Sequence, residues 1–268
     1  MGKQERMSEY NIKYFDPRRI KPGSVVLILG RRGAGKSTVA EDLLSYHRSC
    51  SRGLCVSATE RSNGFWTNHI PRCFIHYEYH DDLTKQLFRQ QMKMKKETGE
   101  IPPVFAIFDD LLFDKSFSKS KQTRKLLMNG RHSNIFTIIS AQYLMDIGPD
   151  LRSNIDYVFV LRDNIRSNRE KVYQYFAGVF PDYQRFEDVM LACTQDNEAL
   201  VLDQSSLSYN VTDCVFFYKA TPNLRYRLCD QRYWDFSASR KAGSESDDGE
   251  EAVTKNPNRT VVRKRYPK

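Results

Sequence analysis

Three short stretches carry side chains able to do chemistry: GRRGAGKS at Gly30–Ser37, the FDD of Phe108–Asp110, and FTIISAQ, which ends on Gln142. The first fits G-x-x-x-x-G-K-[S/T] between a β-rich run and a helical pattern, the context this phosphate-loop motif requires. Glycines let successive backbone N–H groups turn inward around phosphate oxygens, while the helix N-terminus adds its dipole. Gly30, Arg31, Arg32, Gly33, Ala34, Gly35, Lys36, Ser37 and Thr38 are therefore the candidate cradle, and ATP with Mg²⁺ is the expected ligand. Lys36 is placed to neutralise the β- and γ-phosphates, Ser37 to offer its hydroxyl to Mg²⁺, and Thr38 to lie near the α-phosphate.

A bound Mg²⁺-triphosphate also needs a carboxylate at the end of a neighbouring buried strand. Asp109 supplies it, and Asp110 is placed to orient or deprotonate the water that attacks the γ-phosphate. A kinase transferring to a substrate hydroxyl has no need of that second acid. Gln142, at the end of a strand of strong β-formers, brings an amide to the same edge, where it can sense the γ-phosphate and position water. The plainer alternatives are a pair of aspartates capping LLFDKS and a glutamine bonding its own turn. Transition-state charge calls for an arginine from outside. Arg131 in NGRHSN is the first candidate for such a finger across a subunit interface, and Arg152 in PDLRSNID the second.

The surrounding pattern must hold these residues in place. Strands are expected at Val25–Leu29, Gly53–Thr59, Pro71–Tyr79, Val104–Asp110, Phe136–Gln142, Tyr157–Leu161 and Ala199–Asp203, with an edge strand in YNVTDCVFFYKA. Asp81–Glu97 reads as a helix with Asp81 as its N-cap, and two further helices break near Pro181. Alternating strands and helices imply an α/β fold with a mostly parallel central sheet flanked by helices. Residues 15–236 form the expected ATPase domain, 1–14 an N-terminal extension, and 237–268 a charged tail too poor in bulky apolar residues to fold.

Composition narrows the class further. Of the 268 residues 40% are hydrophobic, enough for a substantial core, yet no apolar run approaches the roughly 20 residues of a membrane helix. No signal-peptide pattern opens the chain, so secretion is not expected. The six cysteines lack any C-x-x-C pairing and read as reduced thiols, and His76 and His80 as structural histidines. With 42 Lys+Arg against 33 Asp+Glu, the net charge of +9 fits a polyanionic partner, and SFSKSKQTRK at Ser116–Lys125 is a stretch rich in small polar and basic residues, expected as a loop. In the tail, RKRYPK suits either a solvated end or a nuclear-targeting or nucleic-acid contact.

Taken together, FDPRRIKPGSVVLILGRRGAGKS, the later FDD, GRHSNIFTIISAQYLMDIGPDLRSNIDYVFVLRDN and YFAGVFPDYQRFEDV resemble the poxvirus-type DNA packaging ATPases of nucleocytoplasmic large DNA viruses, within the FtsK/HerA superfamily. The resemblance spans roughly residues 15–220. It implies a P-loop NTPase of ASCE type, with the glutamine strand between the phosphate-loop strand and the acidic strand. It further implies a homo-oligomer, a ring or similar assembly, that drives double-stranded viral DNA into a capsid, with SFSKSKQTRK at Ser116–Lys125 as the candidate DNA-facing loop. Partners would then include a capsid or portal component, in the cytoplasm or viral factory of an infected host cell or on the virion. Lys36 and Ser37 match the family's phosphate-loop pair, Asp109 and Asp110 its acidic pair, Gln142 its sensor, and Arg131 more loosely its finger. The broader superfamily commonly has Glu where this chain has Asp110. Two other functions compete: a nucleotide-switched, non-motor virion component, and a P-loop kinase for a small molecule.

Overall fold

The structure, a computed structural model, describes residues 10–111, 115–144 and 148–244. Its frame is a sheet that runs β1-β9-β8-β7-β2-β6-β5-β3-β4. The strands are β1 (Lys13–Tyr14), β2 (Val25–Leu29), β3 (Gly53–Ser57), β4 (Ile75–His76), β5 (Val104–Asp109), β6 (Ile135–Ala141), β7 (Tyr157–Val160), β8 (Glu198–Asp203) and β9 (Val215–Lys219). All pairings are parallel except β7 with β8 and β8 with β9. The glutamine strand β6 lies between the phosphate-loop strand β2 and the acidic strand β5, as the resemblance implies.

The helices are α1 (Lys36–Ser45), α2 (Glu60–Asn63), α3 (Asp81–Thr98), α4 (Lys115–Ser118), α5 (Lys121–Asn129), α6 (Pro149–Arg152), α7 (Arg166–Phe176), α8 (Tyr183–Cys193), α9 (Val211–Cys214) and α10 (Gln231–Ser244). Central strands buried on both faces read as unbroken apolar runs, and their alternate residues feed two cores. Val25, Leu27 and Leu29 of β2 join Ala106 and Phe108 of β5 in a core roofed by Leu87 and Phe88 of α3, Leu126 of α5 and Phe186 of α8. Val26 and Ile28 join Phe105 and Ile107 on the opposite face, under Leu43 and Leu44 of α1 and Trp66.

Several expectations need correction. Pro71–Tyr79 forms only the two-residue β4 after a 3₁₀ turn at Arg72–Phe74. Val215–Lys219 is not at an edge, because β1 pairs outside it through Lys13 and Tyr14, inside the expected N-terminal extension. His80, not Asp81, takes the cap position of α3. Ser116–Lys125 is not a loop but most of α4 and α5, with Ser120 capping α5 through bonds from the N–H groups of Gln122 and Thr123. Helix α10 continues past residue 236 to Ser244, so the expected tail boundary falls inside a helix. The acidic and basic blocks of that tail, and Leu112 and Phe113, lie outside the described residues.

Among the described residues no helix is long and apolar enough to cross a membrane, and no group of three His, Cys, Asp or Glu side chains is placed to hold a metal. All six cysteines are free thiols.

Candidate active site

The loop after β2 is shaped by its glycines. Gly33 (φ 78°) and Gly35 (φ 98°) take left-handed backbone that other residues adopt at a cost, and Gly35 occupies the cap position of α1. No side chain caps α1, so its first N–H groups stay available to an anion. Lys36, 7% exposed, folds back over the loop: its Nζ donates to the carbonyls of Gly30 (3.0 Å) and Arg31 (3.3 Å) and stands 3.7 Å from Asp110 Oδ1. Ser37 and Thr38 follow in the first turn, both half-buried, whereas Arg31 and Arg32 are exposed on the loop.

The acidic pair divides its work by backbone geometry. Asp109 ends β5 and is 8% exposed. Its Oδ1 accepts a short bond from Ser140 Oγ, and its Oδ2 accepts from Ser57 Oγ (3.3 Å) and Trp66 Nε1 (3.3 Å). The two serines are its register partners on the flanking strands β3 and β6, so a Ser–Asp–Ser row crosses the sheet end. Asp110 then leaves the strand at φ 58°, which only Asn, Asp and Gly tolerate readily. Its N–H is anchored on the Ser140 carbonyl (3.2 Å) and Oγ (3.0 Å), and its Oδ2 accepts from Gln142 Nε2 at 2.6 Å. Lys36, Asp110 and Gln142 thus meet in one cluster. Behind it, burial and the Asp109 carboxylate push the Cys55 thiol well above its ordinary pKa, so this sulfur stays protonated and unreactive.

The donor set suits a hard divalent cation. The Ser37 hydroxyl and the Asp109 carboxylate are both oxygen ligands of the kind Mg²⁺ prefers. Three hydrogen bonds already occupy most of the roughly four lone-pair positions of Asp109, leaving it one to offer, to the ion or to a water on it.

Arg131 is not part of this cluster. It precedes β6 at the opposite end of the sheet, about 20 Å away at 3.3 Å per residue, where Nη2 stands 3.5 Å from Asp156 Oδ1. The other oxygen of Asp156 accepts the Val25 N–H at 2.8 Å. Arg152 lies in α6 with its guanidinium 3.7 Å from the Tyr175 ring centroid. Ser57, Trp66 and Ser140 were not anticipated. The serines sit two residues before the ends of GLCVSAT and FTIISAQ, but only the strand register reveals that both face Asp109.

No family model matches the chain. It is 34% identical over 222 residues to the uncharacterized protein L437 of Acanthamoeba polyphaga mimivirus, covering 80% of this chain and 78% of that one. It is 36% identical over 208 residues to the uncharacterized protein 075L of Invertebrate iridescent virus 6, with 74% and 81% covered. The chain belongs to the family that these viral proteins form. Members of this viral family therefore share a long stretch of the domain described above. In fold, this member is similar to the DNA-packaging ATPase B204 of Sulfolobus turreted icosahedral virus, with a TM-score of 0.54 over 75% of this chain and all of that one at 16% identity. The genome packaging NTPase B204 of Sulfolobus turreted icosahedral virus 2, in complex with AMPPCP, gives a TM-score of 0.53, with 75% and 99% covered at 16% identity.

Proposed function

We propose that this viral protein is an ATP-hydrolysing motor that translocates double-stranded genomic DNA into the capsid during virion assembly. The observation that carries the reading is the meeting of Lys36, Asp110 and Gln142 at the strand ends beside the uncapped N-terminus of α1. A small-molecule kinase has no use for a carboxylate and an amide paired there.

Phosphates bind to the N–H groups of the Gly33–Lys36 turn, and Lys36 exchanges its contact with Asp110 for the β- and γ-oxygens. The freed Asp110 Oδ1 accepts a proton from a water that Gln142 steers in line with the γ-phosphorus. The new water-oxygen–phosphorus bond forms as the β–γ bridging bond breaks, ADP leaves with the electron pair, and the proton passes to phosphate. Ser37 and Asp109 would hold a Mg²⁺ arriving with the nucleotide, which would supply charge neutralisation on the phosphate oxygens. The nucleoside takes the hollow of about 490 Å³ on the other side of the loop, lined by Arg32, Arg162, Asn164 and Asn197 among others.

Because Arg131 lies far from its own site, it acts as a finger only on a neighbouring subunit, within a homo-oligomeric ring. Double-stranded DNA, a capsid or portal component and the infected cell complete the setting. The fold likeness to packaging ATPases of other viruses supports the motor reading. The test is steady-state ATP hydrolysis with and without duplex DNA, alongside Lys36→Ala and Asp110→Asn. DNA-stimulated turnover lost in both variants is expected. Negligible turnover with or without DNA would instead favour a nucleotide-switched structural component.

A further inference from the structure

Helix α3 carries two stripes. Thr84, Leu87, Phe88 and Gln91 are buried toward the sheet, while Lys85, Arg89, Lys93 and Lys96 recur at helical spacing along the outer side. Eleven steps of 1.5 Å from Lys85 to Lys96 make that outer stripe about 16 Å long. Helix α5 lies alongside, and between the two runs an open groove of about 870 Å³ whose lining adds Lys125, Gln122 and His132. Five permanent cations line it, with no acidic side chain among the lining residues. Asp82 and Glu97 reach only its margins, in exposed pairs with Lys85 (3.0 Å) and Lys93 (3.6 Å) that a stronger polyanion would displace at little cost.

The groove is rigid at both ends. At the α3 N-terminus, the Tyr79 hydroxyl bonds Thr84, Ser120 and Thr123, and Ser120 also bonds Asp81, locking α3 to α5. Toward the other end, buried Gln91 donates to the carbonyls of Pro102 and Ser133, both at 2.7 Å. Its one phenyl ring, Phe88, is buried beneath Lys125, whose Nζ stands 4.8 Å from the ring centroid. A surface with five cations and a single exposed imidazole, that of His132, suits phosphate backbone rather than unstacked bases, which single-strand binders hold on successive aromatic platforms.

We infer that the α3–α5 groove is a docking surface for the phosphate backbone of double-stranded DNA. This rests on the packaging reading and adds the place of contact. Over about 16 Å a duplex presents about ten phosphate charges, ample for five cations, and contact through phosphates leaves recognition independent of sequence. Only its Lys85 end approaches the nucleotide site, through Tyr79, whose hydroxyl bonds Thr84 and whose ring packs edge-on against Phe108, the residue before the acidic pair.

The experiment measures binding of the full chain to a fluorescent duplex of about 30 base pairs across a salt series, with and without a non-hydrolysable ATP analogue. The variant is Arg89→Gln/Lys93→Gln/Lys96→Gln/Lys125→Gln, whose side chains are exposed. The control, Arg48→Gln/Arg225→Gln/Arg227→Gln/Arg232→Gln, removes equal charge from the α1 side. If all five cations meet phosphates, wild type and control give a slope of log K against log salt near about −4.5, and the groove variant one near about −1. The variant's affinity should fall at least tenfold below the control's at low salt. Equal slopes in variant and control, or equal affinity of wild type for a single strand of the same length, would overturn the groove assignment. If duplex DNA still stimulates hydrolysis in the groove variant to the full extent, the motor reading survives and the surface is wrong. If wild type binds no duplex in any nucleotide state, both fall.

Discussion

Asp110→Asn separates two things that most substitutions at a catalytic carboxylate confuse. At φ 58° a side-chain-bearing residue pays about 1–2 kcal/mol, and asparagine and aspartate are the residues that bear this best. Asparagine retains an amide oxygen to accept the 2.6 Å bond from Gln142 Nε2, and the N–H anchors on Ser140 are backbone matters that survive. What disappears is the carboxylate facing Lys36 Nζ at 3.7 Å. Stability should therefore change by less than about 1 kcal/mol, the usual range for a partly exposed site without a packing change. If Asp110 is the base, the rate should fall by about 10²–10⁴, or about 3–5 kcal/mol of barrier. The assay pairs kcat for ATP hydrolysis with nucleotide affinity from a fluorescent analogue. A kcat within threefold of wild type would refute the base assignment. Loss of Mg²⁺-nucleotide binding together with kcat would move Asp110 into the metal shell. Asp110→Glu sharpens the comparison. Its extra methylene meets Gln142 at a contact already 2.6 Å long, so it should be slower than wild type, and full activity would show that the longer base of the broader superfamily is accommodated here.

Ser140→Ala removes the short bond to Asp109 and one of two anchors on the Asp110 N–H. We expect a loss of about 1–3 kcal/mol and a several-fold higher Mg²⁺ requirement for hydrolysis, with Ser57→Ala milder because its bond is 3.3 Å long. Burial pushes the pKa of His47 down to about 4, and its Nε2 is buried without a partner while its ring stacks on Phe136 at 3.8 Å. Between its ordinary 6.5 and about 4 only the unfolded chain takes up the proton, so stability should drop as pH falls through that window, by about 3 kcal/mol at most. In denaturant unfolding at pH 5, 6 and 7.5, His47→Phe should flatten that loss, and an unchanged pH slope would assign the acid sensitivity elsewhere. Arg131→Ala and Lys36→Ala should each be inactive alone yet recover hydrolysis when mixed, since one keeps the loop and the other the finger. An active Arg131→Ala would remove the finger role.

What could be read in advance follows from the range of each interaction. The phosphate loop was legible because its demands are local: glycines at fixed offsets, a lysine and a hydroxyl at the helix start, all within eight residues. The central strands were legible because burial on both faces leaves runs such as VVLIL and VFAIF that need no partner to be recognised. Residues 71–79 misled because HYEYH alternates like a strand, whereas the segment opens with a 3₁₀ turn at Arg72–Phe74 and only Ile75 and His76 pair with β3. Residues 116–125 misled for the opposite reason: small polar and basic residues suggested a loop, yet Ser120 caps α5 and buried Leu126 and Leu127 anchor it.

The support of Asp109 was illegible for a deeper reason. Trp66 lies 43 positions before it, and the serines of β3 and β6 become neighbours only when parallel crossovers set β5 between those strands in one register. A shift of one residue in either strand would turn its serine to the other face of the sheet and leave a hydrocarbon beside a nearly buried carboxylate. The register that the apolar cores enforce on β3, β5 and β6 is therefore also what keeps Asp109 satisfied. Packing faults far down these strands should reach the site through it. Asp110 gains from the same row, since Ser140 both neutralises part of the demand of Asp109 and pins the N–H that holds the left-handed turn. The two carboxylates are coupled through one hydroxyl, and for that reason Ser140 ranks with Gln142 among the residues on which the proposed water activation depends.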